Sequence, residues 1–161
     1  IHARKAWLNG LSPAENRTIP PLKWDVVYKL KQDLPQLNII LNGGIKTVED
    51  VKEIMPHVDG VMIGREAYQN PYFLAALERD VFGTAADQIP SRHDVMHALL
   101  PYIDRCLQNG TPLKDISRHI LGLYQGLPGA RRFRQILSSE AYRPAANGDV
   151  VREAMKQVAE T

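Results

Sequence analysis

Three glycines and one arginine carry the sharpest chemical signal in this sequence. Asn42, Gly43 and Gly44 end one short apolar run, residues 38–41, and Gly64 with Arg65 ends a second, residues 58–63. A glycine has no Cβ, so its backbone N–H comes close to an anion and takes up angles closed to other residues. A helix amino terminus after such a turn adds unpaired N–H donors and the positive end of a dipole. A guanidinium beside it supplies a charge-assisted grip. One glycine after a strand is an ordinary turn. Two successive strands ended this way, one of them followed by arginine, point to a phosphate-bearing ligand. Spacing alone leaves ordinary turns about equally open and names no ligand.

The second signal is basic. Residues 111–143 hold Lys114, Arg118, Arg131, Arg132, Arg134 and Arg143 against only Asp115 and Glu140, although the whole 161-residue chain has a formal net charge of just +2. Clustering of this kind is what binding to a phosphate backbone requires, because each neutralised phosphate releases counterions. A solvated helix face is the alternative. Helical spacing sets Phe133, Ile136 and Leu137 on one face and brings Arg131 and Arg134 together on another. In the preceding helix Leu113, Ile116, Ile120 and Leu123 form the apolar stripe, which turns Arg118 outward. His93 and His97 have the four-residue spacing of a helix face but no third ligand, so no metal is expected. The single Cys106 has no internal disulfide partner; its spacing from Tyr102, Ile103 and Leu107 predicts a structural place on an apolar helix face.

The elements that must hold these residues follow from periodicity and breakers. Residues 11–22, with Ser12, Pro13, Asn16, Pro20 and Pro21, read as a loop. Residues 24–34 have an amphipathic helix pattern that Pro35 stops. The run 38–41 fits a strand buried on both faces, as in parallel sheets. Thr47 caps a helix over 48–55, with Glu49 and Asp50 in its first turn, and Pro56 follows. After the strand at 58–63, Asn70 caps a helix over 71–82 that has Pro71 at its first position. These are two consecutive β–α units of a parallel α/β fold. A parallel pair does not complete a sheet, and the chain opens on Ile1 as though a strand were under way, so we expect a segment of a longer protein. From about residue 84 the pattern changes. Residues 84–90 read as a linker, and helices are predicted over 91–108, 112–124, 130–139 and 149–159, separated by Asn109-Gly110, by Gly126 with Pro128-Gly129, and by Asn147-Gly148.

Composition sets outer limits. Hydrophobic residues make up 44% and charged residues 24%, which excludes a disordered or fibrous chain. No apolar run approaches the roughly 20 residues needed to cross a bilayer. The opening IHARKAWLNG is not a secretory signal. A cytoplasmic protein is expected.

Longer strings resemble a known family. HARKAWL at 2–8, GLSP at 10–13, Asn16-Arg17, IILNGGI at 39–45, DGVMIGREAYQNP at 59–71 and RHILGLYQGLPGAR at 118–131 closely resemble the A subfamily of tRNA-dihydrouridine synthases. The likeness runs from the first residue nearly to the last. It implies the last strands and helices of an FMN-binding TIM barrel over residues 1–83, the linker 84–90, and a helical tRNA-binding domain over 91–161. The implied activity is reduction of a D-loop uridine in tRNA to 5,6-dihydrouridine, with NADPH reloading the flavin. His2 would end the sixth strand and contact the flavin. Asn42, Gly43 and Gly44 would end the seventh strand, Gly64 and Arg65 the eighth, and together these would hold the FMN phosphate. Arg131 and Arg134 match positions that contact tRNA, with Arg17 from the barrel loop; Arg118, with His119 beside it, joins them as a candidate. The resemblance also implies a proton-donating cysteine on a loop after an earlier strand, which this chain does not contain. Cys106 is no substitute, so no catalytic residue is expected here and the chain alone should be inactive. No membrane and no protein partner is implied. A tRNA-binding module without catalysis is the alternative. A barrel enzyme for a phosphorylated metabolite is a third possibility, against which the basic helical face argues.

Overall fold

The computed structural model describes residues 1–160 and divides into two compact units, Ile1–Glu66 and the chain from Ala67 onward. The first unit is α/β. Helix α1 (Trp24–Asp33) buries Val27, strand β1 (Ile40–Asn42) follows, then helix α2 (Val48–Ile54) and strand β2 (Gly60–Met62). Thr47 starts α2 as expected: its hydroxyl accepts from the Asp50 N–H while Asp50 answers the Thr47 N–H. The two strands are parallel, with Ile40 opposite Gly60, Leu41 opposite Val61 and Asn42 opposite Met62. On its other edge β1 meets the start of the chain, also in parallel. The Asn42 N–H donates to the Ile1 carbonyl at 2.8 Å and the Ala3 N–H to the Asn42 carbonyl at 2.7 Å. β1 is thus the middle strand of a three-part ribbon.

Asp59 locks the two strands together. Its carboxylate accepts from the Ile39 N–H at 2.7 Å and pairs with the Lys31 ammonium at 2.7 Å. Those bonds, the backbone one first, hold the carboxyl below its ordinary value. Burial on both faces, the sequence expectation for this ribbon, is not what the structure has. Ile39 and Leu41 are buried with Val27, Val51 and Ile54, whereas Ile40 is 41% exposed and Met62 48%. Successive strand side chains point to opposite faces. The helices of this unit leave the second face uncovered.

The second unit is helical among its described residues. Helix α3 (Arg65–Gln69) begins at the end of the first unit and is followed by α4 (Phe73–Asp80), α5 (Arg92–Gln108), α6 (Leu113–Ser117), α7 (Ala130–Glu140) and α8 (Gly148–Met155). Ahead of α5 the chain passes through one 3₁₀ turn, Ala86–Gln88. A capping box of Ser91 and Asp94 starts α5, and the Asn147 side chain caps α8. α7 packs on α6 and α8, and α5 on the same two. Their shared core includes Met96, Ile103, Leu113, Phe133, Leu137 and Val151. The Tyr124 ring lies in the same core, edge-on to Phe133 at 4.8 Å, and burial pushes its phenol up to about 12.

Two helix expectations are corrected. Helix α4 starts at Phe73 with Tyr72, not Asn70, in the cap position. The turns before it are of the tighter i→i+3 kind, Phe73 N–H to Asn70 carbonyl and Leu74 N–H to Pro71 carbonyl, so the α-helix begins later. The helix predicted over 112–124 ends at Ser117, and the chain continues to Gly129 in successive turns, with i→i+3 bonds from His119, Ile120, Leu123, Gln125 and Leu127. The turns meet a distant segment: a Cβ on Gly122 would collide with the Gln69 backbone carbonyl, and the adjacent Leu123 and Tyr124 are both buried in the core.

Candidate anion and nucleic-acid sites

The register of the first unit decides where its glycines lie. With Asn42 opposite Met62, residues 43–44 and 63–64 leave the ribbon at the same end. Gly43 and Gly44 have φ of +126° and +78°, the left-handed side that glycine tolerates. A Cβ on Gly43 would crowd the His2 ring at 3.3 Å, and one on Gly44 would strike Leu22. The Gly43 carbonyl is held by the Trp24 indole N–H at 2.9 Å. Gly64 differs: its φ is unstrained, and a Cβ there would meet nothing nearer than Met62 at 3.8 Å. Nothing in this unit demands glycine at 64. The N–H groups of Gly44 and Gly64 have no acceptor among the described residues.

Three predicted contacts converge on that end. Asn42 is opposite Met62 and bridged to His2, and the exposed Arg65 side chain donates from Nη2 to the Arg17 carbonyl at 3.2 Å. Partial burial first, then the positive charges of Arg4 and Arg65, hold His2 below its ordinary value. The start of α2 carries a negative charge of its own, since the Asp50 carboxylate there accepts the Lys46 and Thr47 N–H groups at 2.8 and 2.9 Å. Glycine amides and Arg65 are the donors that remain. They suit a phosphate group, which takes several N–H donors and one or more cations.

The second unit gathers the other predicted residues. Arg118, Arg131 and Arg134 line one cavity of about 680 Å³, together with Tyr68, Gln69, His119, Gly122 and Gln125. Phe133, Ile136 and Leu137 turn inward as their spacing requires, leaving Arg131 and Arg134 exposed one turn apart on α7. Arg118 follows α6, and its Nε donates to Nε2 of His119 at 3.1 Å. Nδ1 of His119 is bonded to the Tyr68 hydroxyl at 2.8 Å. With Nε2 accepting, Nδ1 carries the proton and donates it to Tyr68. Contact of Gly122 with Gln69 brings Tyr68 and Gln69 to the cavity as a wall facing the turns after α6. Among the described residues no carboxylate lines it. Arg17 belongs to the first unit, where its carbonyl holds Arg65. Arg132 turns aside to Gln135 at 3.0 Å, and Arg143 pairs with Glu140 at 2.5 Å. Cys106 is half-buried on α5, though its neighbour Tyr102 is exposed, so the apolar face there is narrower than its spacing predicted.

Sequence reasoning missed Tyr68, Gln69 and Gln125. Only Gly122, a glycine inside an apparent helical pattern, hinted at the turn that brings them together.

The family described as dihydrouridine synthase matches residues 1–160, and the chain belongs to it. It is similar to the tRNA-dihydrouridine(20/20a) synthase of Escherichia coli, at 53% identity over 163 residues that cover 99% of this chain and 46% of the relative. It is also similar to the tRNA-dihydrouridine(20/20a) synthases of Vibrio cholerae (50% over 158 residues, 98% and 48%) and Shewanella oneidensis (53% over 158 residues, 98% and 47%). The chain spans about half the length of the curated relatives it matches. No helix among the described residues is long and apolar enough to cross a membrane.

Proposed function

We propose that this chain is the carboxy-terminal part of an FMN-dependent tRNA-dihydrouridine synthase that reduces a D-loop uridine of tRNA to 5,6-dihydrouridine, with NADPH as reductant. Residues 1–83 contribute the final strand–helix units of a TIM barrel, 84–90 a linker and 91–161 a helical tRNA-binding domain. The observation that carries this is the convergence of two glycine turns and Arg65 at one end of a parallel ribbon. Ligands of such barrels bind at the carboxyl ends of the strands, with phosphate held after the last two. The uncovered face bearing Ile40 and Met62 further supports a ribbon designed to sit among more strands.

In this reading Gly44 and Gly64 present backbone N–H groups to the FMN phosphate, Gly43 shapes the turn that brings them there, Arg65 neutralises it and Asn42 hydrogen-bonds beside them. His2 contacts the flavin. Bound FMN, once reduced by NADPH, would supply the hydride for the uracil ring. Arg118, Arg131, Arg134 and Arg17 hold tRNA phosphates and so fix the uridine in place. Cys106, half-buried in a helix, is not the proton donor.

Flavin titration of the protein made from its natural gene, followed by FMN fluorescence, tests this. Arg65→Ala removes one charge-assisted bond, worth about 1.5–3 kcal/mol, so Kd for FMN should rise roughly ten- to hundredfold. Failure of the unaltered protein to bind FMN would remove the enzyme assignment; an unchanged Kd in the variant would remove Arg65 from the site. The alternative, a tRNA-binding module without catalysis, rests on the basic cavity alone and survives the first of those outcomes.

A further inference from the structure

We infer that the cavity between α3, the turns after α6 and the start of α7 receives one unstacked RNA nucleotide, its base against Tyr68 and its flanking phosphates on the arginines. This rests on the RNA-binding reading above and adds a base pocket, distinct from the uridine to be reduced, to what would otherwise be a charged surface.

The lining sorts by chemistry into two kinds. Arg118, Arg131 and Arg134 are the cations, and among the described residues no carboxylate accompanies them. The cations of this unit that have carboxylate partners, Arg79, Lys114, Arg143, Arg152 and Lys156, all lie outside the cavity. A simple phosphate-backbone site needs no more than this. The cavity has more. At about 680 Å³ it is a concavity of the size that takes a small molecule. An A-form duplex keeps its bases stacked inside and could use only the rim.

Tyr68 is 58% exposed, so much of its ring is open to solvent. The hydrogen bond that its hydroxyl accepts from Nδ1 of His119 ties the polar end of the side chain to the protein. His119 in turn holds Nε of Arg118, which leaves the two terminal nitrogens of that guanidinium for an anion. An aromatic ring, pinned beside cations, is the pattern by which proteins hold single-stranded nucleic acid. Gln69 and Gln125 each offer a donor and an acceptor, the complement of a base edge.

Fluorescence anisotropy at several salt concentrations separates base binding from phosphate binding. The full chain is titrated with a single-stranded RNA hexanucleotide and with a blunt RNA duplex of the same phosphate count. Tyr68→Ala should weaken the single strand about five- to hundredfold, the range for loss of one aromatic–base stack. Its salt slope should not change, and duplex affinity should move less than about twofold. Tyr68→Phe keeps the ring and should stay near the unaltered protein. Tyr68→Leu keeps the bulk without the π face and should behave as the alanine variant, so a folding defect in one does not decide the outcome. Arg131→Ala with Arg134→Ala should weaken both ligands and lower both slopes. If the Tyr68→Leu and Tyr68→Ala proteins lose affinity equally for strand and duplex, or for neither, the base pocket is wrong while the phosphate face stands. If the arginine pair leaves both slopes unchanged, the RNA reading and the pocket fall together.

Discussion

Leu137 on α7 and Leu41 on β1 are both fully buried, yet their surroundings differ. Around Leu137 the neighbours at helical spacing, Phe133 and Ile136, are also buried, and α5, α6 and α8 supply the other walls. One residue before Leu41, Ile40 stands exposed, and Met62 does the same on the paired strand. A helix satisfies its own backbone and asks its neighbours only to cover one stripe. A parallel ribbon needs partners along both edges and covers on both faces. The helical unit has its requirements met within the chain. The ribbon has a core on one side only.

Three perturbations would sharpen or break this contrast. Phe133→Ala opens a cavity in the closed core and should cost about 3–5 kcal/mol, read as a lowered urea midpoint. A loss near zero would mean that the helical core is loosely packed. A smaller effect is expected at the clasp of the ribbon. The Asp59 carboxyl is held below its ordinary value of 3.8, chiefly by the Ile39 N–H and then by Lys31. A depressed carboxyl stabilises the fold fully above its unfolded value, and that stabilisation declines as pH falls through 3.8 and disappears below the folded-state value. Acid unfolding of Asp59→Asn should accordingly lack this part of the pH dependence. Superimposable acid limbs for the two proteins would show that the clasp contributes nothing. Smallest of all, Met62→Ser on the uncovered face should change the stability of this chain by no more than about 0.5 kcal/mol. A loss of 2 kcal/mol or more would show that the face is covered in solution.

Much of this was legible in the residues. Local rules predicted α1, the Thr47 and Ser91 starts and the inward face of α7, because each is settled by contacts three or four positions apart. Glycines 43, 44 and 64 were legible as candidates for the same reason. Gly44 nevertheless proved necessary also for packing, since Leu22 fills the space beside it. The second half of the helix predicted over 112–124 was not legible. Leu113, Ile116, Ile120 and Leu123 keep perfect helical spacing, yet the chain turns after Ser117 and Gly122 packs against the carbonyl of Gln69, more than fifty positions earlier. The Tyr68 contact with His119 was hidden by the same distance in sequence.

Residue types and short-range spacing by themselves settled most of the helices, the two strands and where the positive charge gathers. Tertiary structure alone decided that Gly43 and Gly64 leave one end of the ribbon together, that the chain turns after Ser117, and that three arginines share a cavity with Tyr68. The physical reason is reach. Propensity, capping and periodicity act over a few bonds, whereas a binding site is made by groups distant along the chain whose meeting depends on strand register and on which backbone atoms pack without a Cβ between them.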